Sequence, residues 1–98
     1  MSQAPFYLIA VIKPRMDVAD AVAERLREMR DATREEPGNI SMDLVVGDDD
    51  PTTWFMLEKF ASREAWDEHM TLAHVTEGNE FLADKLREPT QLKFYADR

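Results

Sequence analysis

Apolar positions along the first half of the chain change from a strand pattern to a helix pattern. The run from Phe6 to Ile12 is apolar at both alternating positions, which predicts a central strand covered on two faces. Pro14 ends this run, and Asp17 is placed to cap the helix that follows. That helix is predicted to span about four turns, because apolar residues recur at helical spacing at Val18, Val22, Leu26 and Met29.

The second half of the chain predicts three more strands and a second helical region. Turn residues at 36–39 precede a strand with one apolar face, formed by Ile40, Met42, Leu44 and Val46. The run from Trp54 to Phe60 is nearly all apolar and is predicted to return antiparallel to that strand. Ser62 is a suitable N-cap for the next helix, whose spacing continues to Leu86. Residues 92–96 alternate as a last strand.

This order of elements, βαββαβ, predicts an α+β fold of the ferredoxin-like type. Right-handed crossovers then give a four-stranded antiparallel sheet with the helices on one face. The other face of the sheet stays bare, and a second copy of the chain is the expected cover. With 98 residues and no linker or repeat, we expect residues 1–98 to form a single domain.

Charge and composition narrow the class of partner. The net charge is −8 and the basic residues are scattered among acids, which disfavours nucleic acid. There is no cysteine, so disulfides and thiolate metal sites are excluded. The apolar run from Phe6 to Ile12 is too short for a membrane span and lacks a preceding basic residue. We expect a cytoplasmic protein without a membrane or nucleic-acid partner.

The candidate chemistry lies between Trp54 and Val75. Five residues separate His69 from His74, which on one unbroken helix places them about 140° apart around the axis. Both can reach one pocket only if the helix breaks between them, and Thr71 is a plausible new N-cap at that point. Glu58 stands in an otherwise apolar strand, where an unpaired carboxylate is costly, so we expect a His or Arg partner.

The chain resembles the antibiotic-biosynthesis monooxygenase family in several short segments taken together. They are the turn Glu36-Pro-Gly-Asn39, the strand ending Glu58-Lys-Phe60, and Ala65 followed by the two histidines. The match extends from Phe6 to Tyr95. The resemblance implies a homodimer, a dimeric α+β barrel, whose sheets pack through their bare faces, with one pocket per subunit between sheet and helices.

The resemblance implies that His69 and His74 are pocket residues, and the chemistry of other residues adds further candidates. His74, His69 and Glu58 are the catalytic candidates, with imidazole suited to act as a general base near neutral pH. Substrate-binding candidates are Asn39, Phe60, Trp66, Tyr7 and Phe81. Each has a structural alternative. The histidines could be helix caps or core hydrogen-bond partners, and Glu58 could form a salt bridge. Asn39 could be an ordinary turn residue after Gly38, and the aromatic residues could be plain core.

No cofactor is expected. Two histidines at this spacing, without a suitable third ligand in sequence, argue against a metal site. There is no glycine-rich phosphate loop or dinucleotide fingerprint, and Phe60, where the family often has Trp, disfavours haem breakdown. The expected function is cofactor-independent oxygenation of a small aromatic or quinol substrate by dioxygen. Two alternatives remain. One is an isomerase acting on a small phosphorylated signalling compound, which would need a Lys or Arg at the pocket mouth, where the sequence alone does not place Lys13, Lys59 or Arg63. The other is a non-enzymatic small-ligand binding module.

Overall fold

The computed structural model describes residues 4–98 and contains four strands and three α-helices. In chain order the elements are β1 (Phe6–Ile12), a 3-10 turn (Met16–Val18), α1 (Ala19–Arg34), β2 (Asn39–Val46), β3 (Trp54–Phe60), α2 (Arg63–His69), α3 (Ala73–Leu82) and β4 (Gln91–Ala96). The strands form one sheet in the order β2-β3-β1-β4, and every neighbouring pair is antiparallel. The predicted ferredoxin-like α+β fold is therefore confirmed.

The core lies between the sheet and the helices. One buried cluster joins β1, β2 and β3 to α1 and α3 through Ala10, Ile12, Val22, Leu26, Met42, Met56 and Leu82. A second, smaller cluster joins Leu8 and Phe60 of the sheet to Trp66 of α2. Because side chains alternate across a strand, the inward positions of β1 and β3 are the ones that meet the helices.

The predicted break between the histidines is present, although its capping differs from the prediction. Ser62 caps α2 by accepting a hydrogen bond from the Ala65 backbone N–H, as expected. The residue that caps α3 is Leu72, which offers no side-chain hydrogen bond. Thr71 instead donates its hydroxyl to the carbonyl of Glu68. The expectation that Thr71 is the new cap is therefore wrong, because its side chain closes the end of α2.

Three other local predictions are corrected. Val18 rather than Asp17 caps α1, since Asp17 lies in the preceding 3-10 turn and pairs with Arg15 at 2.8 Å. Ile40 is exposed because the register shifts between its two neighbours in β2, which leaves it as the extra residue of a bulge. The last helix ends before Leu86, which forms an isolated bridge with Pro14.

The sheet face that points away from the helices is largely apolar. Strand alternation and register place these apolar side chains on it: Tyr7, Ile9, Val11, Val45, Phe55, Leu57 and Tyr95. Leu57 and Tyr95 expose 38% and 47% of their surface, respectively. We call this set the outer sheet face. Within residues 4–98, no helix combines the length and apolar character needed to cross a membrane.

Candidate functional site

A cavity of about 550 Å³ lies between the sheet and the helices. All four strands and all three helices contribute to its wall, which is mainly apolar and includes four methionines, Met29, Met42, Met56 and Met70. The methionine side chain is unbranched and flexible, so it fits irregular ligand shapes. The titratable groups on the described wall are Glu58, His69 and the neighbouring pair Arg87 and Glu88. The cavity has the size and character of a small-molecule site.

Both histidines bind the same carboxylate oxygen. Glu36 Oε2 lies 2.8 Å from Nδ1 of His69 and 2.7 Å from Nε2 of His74. The side chains of Glu36 and His69 are 11% and 5% exposed, while that of His74 is 27% exposed. A carboxylate oxygen accepts hydrogen bonds, so each ring donates its N–H to it. One glutamate therefore fixes the orientation of both imidazoles.

Local structure explains why these three side chains meet. Glu36 follows the end of α1 in a turn whose Gly38 lies against α2, where a Cβ at Gly38 would come within 2.7 Å of the Cβ of Ala65. Glycine is thus needed for this close approach. The break between α2 and α3 then turns His74 towards the same oxygen that His69 contacts.

The hydrogen bond to Glu36 leaves the other nitrogen of His69 free. With Nδ1 protonated, Nε2 of the neutral ring carries the lone pair. Within residues 4–98, Nε2 has no hydrogen-bond partner, whereas every fully buried side-chain nitrogen or oxygen has one. Nε2 is therefore accessible, and the ring lines the cavity. His74 is not among the described residues that line it, so the structure places one of the two histidines, His69, at the wall.

Within residues 4–98, Glu58 has no hydrogen-bond or ion-pair partner. It is 9% exposed. Burial, with a further contribution from the negative charge of Glu36, raises its pKa from 4.5 to about 8. The expectation of a His or Arg partner is wrong because Glu36 occupies both histidines. Glu58 is instead predominantly a neutral carboxylic acid at pH 7.

Glu36 is the site residue that sequence reasoning missed. Its place in a Glu-Pro-Gly-Asn turn suggested local turn chemistry only. The available signal was the pair of histidines, since two imidazoles brought to one place need a hydrogen-bond acceptor. The prediction that the histidines lack a suitable third ligand is also wrong, because Glu36 Oε2 and one nitrogen of each histidine lie within 4.8 Å of one another.

Two imidazoles and one carboxylate are a donor set that suits Zn²⁺ or Fe²⁺. A metal would need lone pairs that converge on a point about 2 Å from each donor atom. Here both ring N–H groups point at the carboxylate oxygen itself, at hydrogen-bond distances. The three donor atoms are held together by these hydrogen bonds.

The predicted substrate-binding residues fall in different places. Trp66 lines the cavity. Phe60 is fully buried beneath it, with its ring centroid 4.9 Å from that of His69, and so supports the imidazole from behind. Asn39 joins β2 to β3, because its side-chain amide donates to the carbonyls of Ser41 and Lys59. Its amide N–H groups are therefore occupied by the sheet.

Tyr7 and Phe81 also lie off the described cavity wall. The side chain of Tyr7 is on the outer sheet face, where strand alternation puts it opposite the cavity, and its hydroxyl donates to Asp97. Phe81 packs against the core between two cations, with Arg25 4.3 Å and Lys85 4.0 Å from its ring centroid. Both aromatic rings have structural surroundings in this fold.

The three basic residues considered for a phosphate site are also placed. Lys13 pairs with Glu88 at 3.2 Å, and the ammonium of Lys59 lies over the Tyr7 ring on the outer sheet face. The Arg63 guanidinium is 5.1 Å from the ring centroids of Phe6 and Trp66. None of the three is among the described residues lining the cavity.

Comparisons with known proteins agree with this architecture. The family model described as antibiotic biosynthesis monooxygenase matches residues 5–80. Comparison with curated proteins gave no match.

Solved structures of similar proteins superpose over almost the whole chain. The Rv0793 protein of Mycobacterium tuberculosis is 29% identical, with a TM-score of 0.92 over 97% of this chain and 96% of that one. A Nitrosomonas europaea protein assigned as an antibiotic biosynthesis monooxygenase is 25% identical, with a TM-score of 0.92 over 99% and 93%. A further structure named antibiotic biosynthesis monooxygenase is 25% identical, with a TM-score of 0.89 over 95% and 98%. The chain therefore belongs to the antibiotic biosynthesis monooxygenase family.

Proposed function

We propose that this protein is a cofactor-independent monooxygenase that acts on a small aromatic or quinol substrate in the cavity between sheet and helices. The observation that carries the proposal is the position of His69. Its ring lines an apolar cavity, and its Nδ1 is hydrogen-bonded to Glu36. A carboxylate that holds an imidazole in one tautomer, with the other nitrogen open to a pocket, is the arrangement of a general base.

The first step is removal of a proton from a substrate hydroxyl by Nε2 of His69. Glu36 stabilises the imidazolium that forms, because its carboxylate is 2.8 Å from Nδ1. Loss of this proton converts the substrate into an electron-rich phenolate. The apolar wall limits competing hydration of that anion, which raises its reactivity.

For a quinol the remaining steps balance without another reagent. A ring carbon of the anion bonds to dioxygen and, after protonation, becomes a hydroperoxide. Loss of the proton on that carbon breaks the O–O bond, so that one oxygen atom stays on the ring as a carbonyl and the other leaves as water. The net reaction converts a quinol and dioxygen into a hydroxyquinone and water. The quinol supplies all four electrons.

The cavity volume supports a substrate of one or two fused rings. A volume of about 550 Å³ lies within the range of small-molecule sites. Trp66 offers a flat aromatic surface, and the methionines offer an adaptable one. A phosphorylated substrate is less well supported. Arg87 is the one basic residue among the described wall residues, it already donates to the carbonyls of Pro14 and Thr52, and Glu88 is beside it.

The proposal includes a homodimer of single-domain subunits in the cytoplasm. The support is the outer sheet face, on which Val45, Leu57 and Tyr95 are exposed and the other apolar side chains are half-buried in one chain. Exposed apolar patches of this kind mark association surfaces. A second copy of the same face would cover it with twofold symmetry.

Oxygen uptake with menadiol, a two-ring quinol, tests the proposal. We expect enzyme-dependent uptake above the autoxidation rate, with 2-hydroxy-3-methyl-1,4-naphthoquinone as the product. His69→Ala should lower the rate about a hundredfold to ten-thousandfold. Met16→Ala changes an exposed residue that is not among the described wall residues, so it serves as the control and should leave the rate unchanged. Uptake that matches the buffer blank across a panel of quinols would reject the proposal.

A further inference from the structure

Glu58 is an unpaired carboxyl group on the wall of an apolar cavity. On β3 it stands between Leu8 of β1 and Met42 of β2, its register partners on the two neighbouring strands. The core residues Met56 and Phe60 flank it at the adjacent inward positions of its own strand. Glu58 therefore points into a surface that is otherwise built for apolar contact.

Such a group has no structural benefit in the unoccupied protein. A buried carboxyl without a hydrogen-bond partner costs free energy that a methionine of similar length would not. Within residues 4–98, every fully buried side-chain oxygen has a hydrogen-bond partner. The oxygens of Glu58 have no partner there, so they are not fully buried, and they are open to the cavity that Glu58 lines. The unmet hydrogen-bonding capacity is thus available to a molecule in the cavity.

The protonation state determines what kind of partner fits. Burial and the nearby charge of Glu36 raise the pKa of Glu58 to about 8, so the neutral acid, with an O–H donor, predominates at pH 7. His69 on the same wall offers the opposite group, an Nε2 lone pair. One donor and one acceptor together match a ligand that carries an oxygen acceptor and a hydroxyl.

We propose that Glu58 binds a carbonyl oxygen of the ligand by donating its carboxylic O–H, so that the cavity selects aromatic compounds bearing a quinone-type carbonyl. This inference rests on the proposed function only for the place where the ligand binds, the cavity, and not for the oxygenation reaction. Glu58 acts as a specificity-determining residue, and it would hold the carbonyl of a hydroxyquinone as readily as the second oxygen of a quinol.

Binding of two matched probes at pH 7 tests the inference. Menadione has two carbonyl groups on a methylated two-ring skeleton, and 2-methylnaphthalene has the same skeleton without oxygen. Isothermal titration calorimetry measures both affinities, because naphthalene absorbs and emits in the same range as tryptophan and rules out a fluorescence readout. We expect the native protein to bind menadione roughly ten times more tightly than 2-methylnaphthalene, the effect of one good hydrogen bond.

Two variants separate hydrogen-bond donation from other roles of Glu58. Glu58→Met removes the donor and should abolish the preference, leaving the affinity for 2-methylnaphthalene within about twofold. Glu58→Gln retains N–H donors at the same place and should keep most of the preference. Glu58→Leu, with near-ultraviolet circular dichroism to verify packing, replaces Glu58→Met if that variant does not fold.

An unchanged preference in the folded Glu58→Met or Glu58→Leu variant would overturn the inference. So would a Glu58→Gln variant that loses the preference as completely as they do, because the group would then act through its negative charge. The oxygen-uptake assay is independent of these results. A protein that prefers menadione through Glu58 but consumes no oxygen would reject the proposed function and retain this inference.

Discussion

Glu36 Oε2 accepts a hydrogen bond from Nδ1 of His69 at 2.8 Å across 33 residues of sequence. This contact assigns different roles to the two glutamates near the cavity. Glu36 accepts hydrogen bonds from both imidazoles, whereas Glu58, without a partner among residues 4–98, has a pKa raised to about 8 and stays protonated at pH 7. One carboxylate that orients an imidazole and one neutral carboxylic acid are thus combined near a single cavity.

Replacing each histidine by alanine should give unequal losses of activity. His69→Ala removes the group at the cavity wall, and we expect the large rate loss of a missing general base. His74→Ala should reduce the rate less, because its described contact with the site is the hydrogen bond to Glu36. It should also cost about 1–3 kcal/mol of unfolding free energy, since a half-buried carboxylate loses a donor. Equal rate losses with unchanged stability for His74→Ala would identify His74 as the base.

Glu36→Ala should destabilise the protein as well as slow it. The change leaves the N–H groups of two imidazoles without their acceptor, which costs about 1–3 kcal/mol for each buried donor. Glu35→Ala is a matched control, because Glu35 is exposed and adjacent in sequence, and its effect should stay within about 0.5 kcal/mol. Urea unfolding monitored by circular dichroism measures both. Equal midpoints for the two variants would mean that the shared carboxylate does not hold the site together.

Stability should fall as pH rises between about 5 and 8. The unfolded chain loses the Glu58 proton near the ordinary pKa of 4.5, while the folded protein keeps it up to about 8. The folded state therefore binds more protons in this window, so raising the pH favours unfolding, by at most about 1.4 kcal/mol per pH unit from this group.

Glu58→Met isolates that contribution from the other titrating groups. Its stability advantage over the native protein should grow steadily from pH 5 to pH 8 in urea titrations at fixed ionic strength. A difference between the two proteins that is constant across this range would show that Glu58 ionises at its ordinary pH in the folded state.

A single charge on the outer sheet face should disrupt dimerisation. Leu57→Asp places a carboxylate in the centre of that face, where a subunit interface would bury it without a partner. Sedimentation velocity at micromolar concentration should show a dimer for the native protein and a monomer for the variant. Met16→Asp carries the same charge at an exposed position of the 3-10 turn and should remain dimeric. A native protein that sediments as a compact monomer of 11.3 kDa would refute the dimer.

Purified protein should contain no stoichiometric metal or coloured cofactor. Both ring N–H groups of the histidines are directed at one carboxylate oxygen, an arrangement that a metal ion would have to displace. Elemental analysis by plasma mass spectrometry, together with an absorption spectrum, measures this. One zinc or iron atom per chain, lost in Glu36→Gln, would show that the three side chains are a metal site.

The sequence predicted the strands well because their patterns are local. The boundaries of β1 and β3 follow directly from continuous apolar runs, and the break between α2 and α3 follows from the spacing of the histidines. The bulge at Ile40 was not predictable, since it depends on register with a neighbouring strand. Caps failed for a similar reason: Thr71 and Asp17 have suitable side chains, but these form hydrogen bonds elsewhere.

The candidate site was predictable only in part. His69 and Glu58 both lie on the cavity wall, as their positions in α2 and β3 suggested. The glutamate that bonds to the histidines could not be predicted. Glu36 and Glu58 are both candidates, and only the tertiary packing of the 36–39 turn against α2 decides between them. Tyr7 was predicted to bind substrate because it is aromatic. The alternation of side chains along β1 instead puts it on the sheet face away from the cavity.

The span of the Glu36 hydrogen bonds affects when during folding the site appears. Thirty-three and thirty-eight residues separate Glu36 from the two histidines, and the β2–β3 hairpin lies between them. Closing so long a loop costs chain entropy that only the docked hairpin and α2 offset. A partly folded chain would therefore hold His69 as an unoriented imidazole without its carboxylate. If the proposed function holds, deprotonation of the substrate is restricted to molecules that have completed folding.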